Sequence, residues 1–91
     1  MFKATIIYNS YKMHTICKNV RTRKLNFSGD ECEIILDSCT LRRLNPGNYI
    51  TVHVKVFNTV TYDEVATYAL EGSVISSSGP EHISFKVSEV Y

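Results

Sequence analysis

The stretch Ile50-Thr51-Val52-His53-Val54-Lys55-Val56-Phe57 decides the fold. Ile50, Val52, Val54 and Val56 fall on one face of an extended chain, and Thr51, His53, Lys55 and Phe57 on the other, because successive side chains of a strand point to opposite faces. A period of two with β-branched residues on the apolar side predicts a half-buried β-strand. Just upstream, Asn45-Pro46-Gly47-Asn48 predicts a tight turn, and Ser38 to Leu44 has room for one short helical turn with Leu41 and Leu44 on one side. Downstream, Asn58 to Glu64 reads as a polar connection. Ala66, Tyr68, Leu70 and Val74 then alternate around Gly72, a glycine placed as at a bulge or barrel bend.

The same period runs outward to both termini. Phe2, Ala4, Ile6 and Tyr8 alternate with Lys3, Thr5, Ile7 and Asn9 in a first strand. Met13 to Cys17 and Val20 to Leu25 read as one or two short strands, the second strongly basic. Ser28-Gly29-Asp30 is a turn signal, and Cys32, Ile34 and Leu36 form the next strand. Ser76 to Pro80 is a loop, and Ile83, Phe85 and Val87 form the closing strand. Nine Val, eight Ile, eight Thr, six Tyr and four Phe in 91 residues are a mixture suited to pleated surfaces. That length supports one core, so residues 1–91 are expected to form a single domain. Short strands and turns, with no long helix and no internal repeat, predict an all-β fold: a small antiparallel OB-like barrel, closed or nearly closed, since closure disposes of exposed edges.

Composition narrows the function classes. No apolar run approaches the roughly 20 residues of a membrane span, and no signal-like segment opens the chain, so a soluble intracellular protein without membrane contact is expected. Cys17, Cys32 and Cys39 are odd in number and lack close pair spacing, which predicts buried reduced thiols rather than a disulfide framework. His14 and Cys17 have an H-x-x-C spacing, but no second pair follows and strand residues three apart face opposite ways, so no metal site is predicted. The cysteines and histidines carry no local signature of a nucleophile, and Asp63-Glu64 and Glu31-Glu33 sit at turns or exposed positions. The four glycines are scattered singly, which excludes a phosphate loop. No catalytic residue and no cofactor are predicted, and the protein is not expected to be an enzyme.

Charge supplies the one polar feature of interest. Net charge is +1, yet Lys18, Arg21, Arg23, Lys24, Arg42 and Arg43 all lie in the first half. Arg21 and Arg23 share a strand face, placed to track phosphates or to grip an acidic protein surface; the plain alternative is a solvated face. A single-strand nucleic-acid platform interleaves aromatics with such charges. Here Phe27 alone lies near in sequence, while Tyr49, Phe57, Tyr62 and Tyr68 fall in the acidic half.

Ile34-Ile35-Leu36-Asp37, a variable segment, and then Leu44-Asn45-Pro46-Gly47-Asn48-Tyr49-Ile50-Thr51-Val52 resemble the central region of the eighth subunit shared by nuclear RNA polymerases I, II and III. Tyr68-Ala69-Leu70-Glu71-Gly72-Ser73-Val74 is similar to that family's Tyr-x-x-x-Gly-x-Val strand. The chain is a reduced version of the pattern, with a short connection after Phe57 and a compressed segment after Val74. The resemblance implies an OB-fold barrel without catalytic activity. It further implies a nuclear location and an assembly role in a DNA-directed RNA polymerase, through protein contact with the large subunit. The alternative is a free OB-fold protein that binds single-stranded nucleic acid through Arg21, Arg23 and Lys24.

Overall fold

The computed structural model describes residues 1–39, 41, 44–77, 79 and 81–91 and folds them into six strands. These are β1 (Phe2–Asn9), β2 (Met13–Ser28), β3 (Glu31–Leu36), β4 (Tyr49–Phe57), β5 (Glu64–Ser76) and β6 (His82–Val90). Every neighbouring pair is antiparallel, and the sheet closes on itself in the order β1-β2-β3-β6-β5-β4. Two three-stranded meanders, β1 to β3 and β4 to β6, are joined by a crossover through residues 37–48 that lays β4 beside β1, a Greek-key connection. This is the all-β, small antiparallel OB-like barrel that the alternation predicts, closed by six strands.

The inward positions are those of the period-two pattern. Ile50, Val52 and Val54 of β4, Cys32, Ile34 and Leu36 of β3, Ile83 and Phe85 of β6, and Ala4 and Ile6 of β1 are all buried. They form one continuous core. Burying each Ile, Leu or Phe contributes about 1.5–3 kcal/mol, so a closed barrel gives even a chain this short a workable interior.

Closure demands sharp bends, and β2 supplies three. Ala4 faces Val20 and Ile6 faces Cys17, so Lys18 and Asn19 together oppose Thr5 alone. Asn19 takes the extra residue in a left-handed conformation with φ 50°, tolerated by Asn more than by most residues. Its N–H donates to Thr5 Oγ1 at 3.0 Å. A second register shift falls between Ile6 and Ile7, and a third between Thr22 and Lys24. The basic segment that reads from sequence as one or two short strands is therefore a single strand of 16 residues, bent by bulges. On the far side, β5 shifts register against β6 at Gly72. A Cβ at Gly72 would fall on the Lys86 carbonyl, so the bend expected there depends on the absence of a side chain.

The crossover plugs one end of the barrel. Cys39, Leu41 and Leu44 are buried beneath it. Asp37 N–H donates to Arg21 C=O at 2.9 Å at its start, and at its end Gly47 N–H donates to Val74 C=O and Val74 N–H to Asn48 C=O, both at 2.8 Å. Within the expected turn at 38–44, Leu44 N–H donates to Leu41 C=O at 3.1 Å; the remainder of that turn, Thr40, Arg42 and Arg43, lies outside the described residues. No helix occurs among the described residues, and none is long and apolar enough to cross a membrane.

One expectation is overturned. Cys17 and Cys39 are not reduced thiols but a disulfide, with Cα atoms 6.0 Å apart and a sequence separation of 22. The crossover folds Cys39 down onto the bulged part of β2, a tertiary contact that no local spacing announces. An odd cysteine count does not exclude a bridge when the third thiol, Cys32, is buried in the core and free. The inference of a reducing compartment from cysteine usage loses its basis.

Candidate interaction surface

The basic residues singled out in the sequence do not form a free patch. Arg21 and Arg23 share a face, and both reach Asp37, at 3.7 Å and 2.9 Å. Arg23 also binds Glu81 at 2.9 Å, and Lys24 binds Glu33 at 2.8 Å. Asp37 comes from the end of β3 and Glu81 from the turn before β6, so barrel closure brings acids of distant sequence onto the basic strand. Exposed ion pairs of this kind add little stability, but they neutralise charge that would otherwise meet a partner. Lys18 alone among the described members of the set has no ion-pair partner. It lines a broad, mixed-polarity depression with Tyr8, His14 and the Cys17–Cys39 bridge. Arg42 and Arg43 lie outside the described residues.

Glu33 is the hub of the outer face of β3. One carboxylate oxygen takes Lys24 and the other lies 2.8 Å from His82 Nε2. The Lys24 hydrogen bond, followed by that of His82, holds its carboxyl below the usual carboxylate range. Cys32, one residue earlier, points inward. Burial, with the neighbouring Glu33 charge, pushes its thiol up to about 12, so it is protonated and inert at neutral pH. Two cysteines in a bridge and one in the core leave no thiolate nucleophile. Among the described residues no three His, Cys, Asp or Glu side chains gather as a metal site.

The most distinctive surface lies at the opposite end from the crossover. Here Phe2 of β1 stands level with Thr22 of β2 and Val56 of β4, and the β2–β3 and β4–β5 hairpins continue beyond it. Between them opens an apolar mouth of about 350 Å³, lined by Phe2, Leu25, Phe27, Val54, Tyr68, Leu70 and Val90. Val54 and Leu70 are buried at its floor, whereas Phe27, Tyr68 and Val90 stand 52%, 49% and 64% exposed on its walls. Four strands of separate sequence origin meet at those walls, so reading Phe27 as an isolated aromatic misses the cluster. The signal available in the sequence was the continuation of inward parity past the core, through Phe2 on β1 and Tyr68 on β5.

The adjacent β4–β5 tip is held rigidly. Asn58 Oδ1 accepts hydrogen bonds from the N–H groups of Val60 and Thr61, at 2.8 Å and 3.2 Å, and Asn58 N–H donates to Asp63 C=O at 2.9 Å. Tyr62 occupies the left-handed region with φ 62°, uncommon for a bulky residue. The turn thereby presents Val60 and Tyr62 to solvent. The mouth, lined by apolar side chains that are partly exposed, marks an interaction site more readily than scattered single residues such as Val60 do.

Charges frame the mouth at both hairpin tips. Lys86 pairs with Asp30 at 3.7 Å and Lys55 with Glu64 at 3.8 Å, while Lys3 lies over the Phe57 ring, 5.4 Å from its centroid. Glu31 on one tip and Asp63 on the other have no ion-pair partner among the described residues. Beside Val90, Tyr91 donates its hydroxyl proton to Glu89; that bond, then burial, pushes the phenol up to about 12. No family model matches the chain, and neither a curated protein nor a solved structure matches it.

Proposed function

We propose that the protein is a non-catalytic interaction module that holds a protein partner at the open end of its barrel. The apolar mouth framed by Phe2, Phe27, Tyr68 and Val90 carries this reading. Large exposed aromatics around a concave floor are the usual anchors of a protein interface. The inert Cys32 thiol and the bridged Cys17 and Cys39 favour binding over catalysis. The finer reading is an assembly subunit of a DNA-directed RNA polymerase, in the nucleus and in contact with the large subunit. It rests on the resemblance of Ile34 to Val52 and Tyr68 to Val74 to the shared eighth subunit.

Nucleic-acid binding is the less favoured function, because Arg21, Arg23 and Lys24 are each engaged by a carboxylate of the same chain. The test is affinity purification of the tagged protein from its native cell at moderate salt with nuclease. A partner protein retained through nuclease treatment supports the module, and large polymerase subunits among the retained proteins support the finer reading. Loss of every partner on nuclease treatment or on raised salt contradicts both and favours a nucleic-acid binder.

A further inference from the structure

We infer that the Cys17–Cys39 bridge is a thiol–disulfide exchange site, open to a small thiol reductant, whose reduction releases the crossover from the barrel; this is independent of what the open end holds. Cys17 and Cys39 line the depression beside the crossover, together with Tyr8, His14, Lys18 and Ser38, and its volume of about 790 Å³ is ample for a small thiol. The two are 9% and 7% exposed, whereas the free Cys32 is wholly enclosed. Of the three cysteines, the bridged pair alone can be met by a reagent from solvent.

The surroundings favour attack by an anion. Lys18 has no ion-pair partner among the described residues, and no carboxylate is among the described residues that line the depression. The attacking species is a thiolate, RS⁻, and a nearby cation both draws it in and steadies the sulfur that departs. Attack on one sulfur breaks the Cys17–Cys39 bond, forms a mixed disulfide with that cysteine and releases the other as a thiolate. A second thiolate then attacks the mixed disulfide, and the reductant leaves as RSSR. Two electrons pass from two thiols to the bridge, and their two protons end on Cys17 and Cys39.

The bridge is what ties the middle of the crossover to a strand. The start of the crossover is fixed by Asp37 N–H on Arg21 C=O and its end by Gly47 N–H on Val74 C=O. Between them the hydrogen bonds of the described backbone are local: Leu44 N–H donates to Leu41 C=O, and Asn45 N–H to Asn48 Oδ1. Without the covalent tie, residues 38–46 are left with the burial of Leu41 and Leu44, which falls short of the backbone entropy of ordering such a stretch. Cys17 itself sits between two register shifts of β2 against β1, so freeing it disturbs no regular ladder. The six strands remain paired and the barrel stays closed while its plug loosens.

The test is reduction of the oxidised full chain by dithiothreitol under native conditions, with alkylation by iodoacetamide and hydrogen exchange read by mass. Cys17 and Cys39 should become alkylated while Cys32 stays unmodified, at a rate proportional to dithiothreitol and unchanged in urea too dilute to unfold the protein. Lys18→Glu should slow the reduction about threefold or more at low salt, with the difference lost in 1 M salt. In the reduced protein the amides of 38–46 should exchange within about tenfold of the rate of a free peptide, while those of Ile50 to Val56 stay protected about a hundredfold or more. A rate that climbs steeply with urea, with Cys32 alkylated alongside the other two, means that only the unfolded chain is reduced and overturns the exchange site. Unchanged protection of 38–46 after reduction overturns the release of the crossover. Loss of protection in β4 to the same degree as in 38–46 makes the bridge a staple of the whole fold and overturns it equally.

Discussion

At the crossover end Cys39, Leu41 and Leu44 are folded down onto the core and buried, whereas at the open end Phe27, Tyr68 and Val90 remain about half or more exposed. Both ends are built from strands that alternate apolar and polar positions. They differ in what connects the strands. Residues 37–48 are long enough to turn back and supply three apolar side chains to the barrel bottom. The turns at Gly29-Asp30 and at 58–63 are too tight to cover anything. One end of the barrel is thus closed by buried side chains and the other is left open.

Substitutions should separate the two roles. The largest loss belongs to the crossover end: Leu41→Ala removes a fully buried side chain and should lower the unfolding free energy by about 3.5 kcal/mol in urea titration. Replacing Cys17 and Cys39 together with Ala frees a loop closed across a sequence separation of 22. The cost should be about 3 kcal/mol, read as a fall in denaturation midpoint relative to the oxidised protein. If both changes were nearly neutral, the crossover would not be the plug it is taken to be.

A smaller effect should appear with pH on the flank between the ends. The carboxyl of Glu33 is depressed in the folded protein by Lys24 and then by His82. Its contribution is therefore present above the ordinary carboxylate range, around 4.5, and is lost as pH falls through the lower folded value. Thermal melts of wild type and Glu33→Gln should converge as the solution is acidified below that range and differ above it. At the open end Phe27→Ser should cost about 1 kcal/mol, well below either change at the crossover end, since half the ring is already in water. A large loss there would mean that Phe27 serves the core and would erase the contrast.

Much of the barrel was legible because strand periodicity is local. The alternation of Ile50 to Phe57 and of Cys32 to Leu36 places Ile50, Val52, Val54, Cys32, Ile34 and Leu36 on the inner face without any knowledge of their neighbours. Gly72 was legible as a bend for a similar reason, since a missing side chain signals close backbone approach. What escaped was set by pairing across the barrel. The bulges at Lys18-Asn19 and Arg23 depend on which residues of β1 and β3 lie opposite. The Cys17–Cys39 bridge depends on where the crossover lands. The site was the least legible part. Arg21, Arg23 and Lys24 stand out by charge, yet Asp37, Glu81 and Glu33 answer them from β3 and the turn before β6. Phe2, Phe27, Tyr68 and Val90 lie far apart in sequence and acquire meaning together only when four strands end around one opening.

The most direct test of the open end as the contact surface is site-specific photo-crosslinking in the native cell, with a photoreactive amino acid placed at Phe27 or, separately, at Arg21. The account predicts a discrete protein adduct from position 27 that resists nuclease, and none from position 21. An adduct from position 21 with none from position 27, or a nuclease-sensitive adduct at either, would contradict it and return the function to the basic strand.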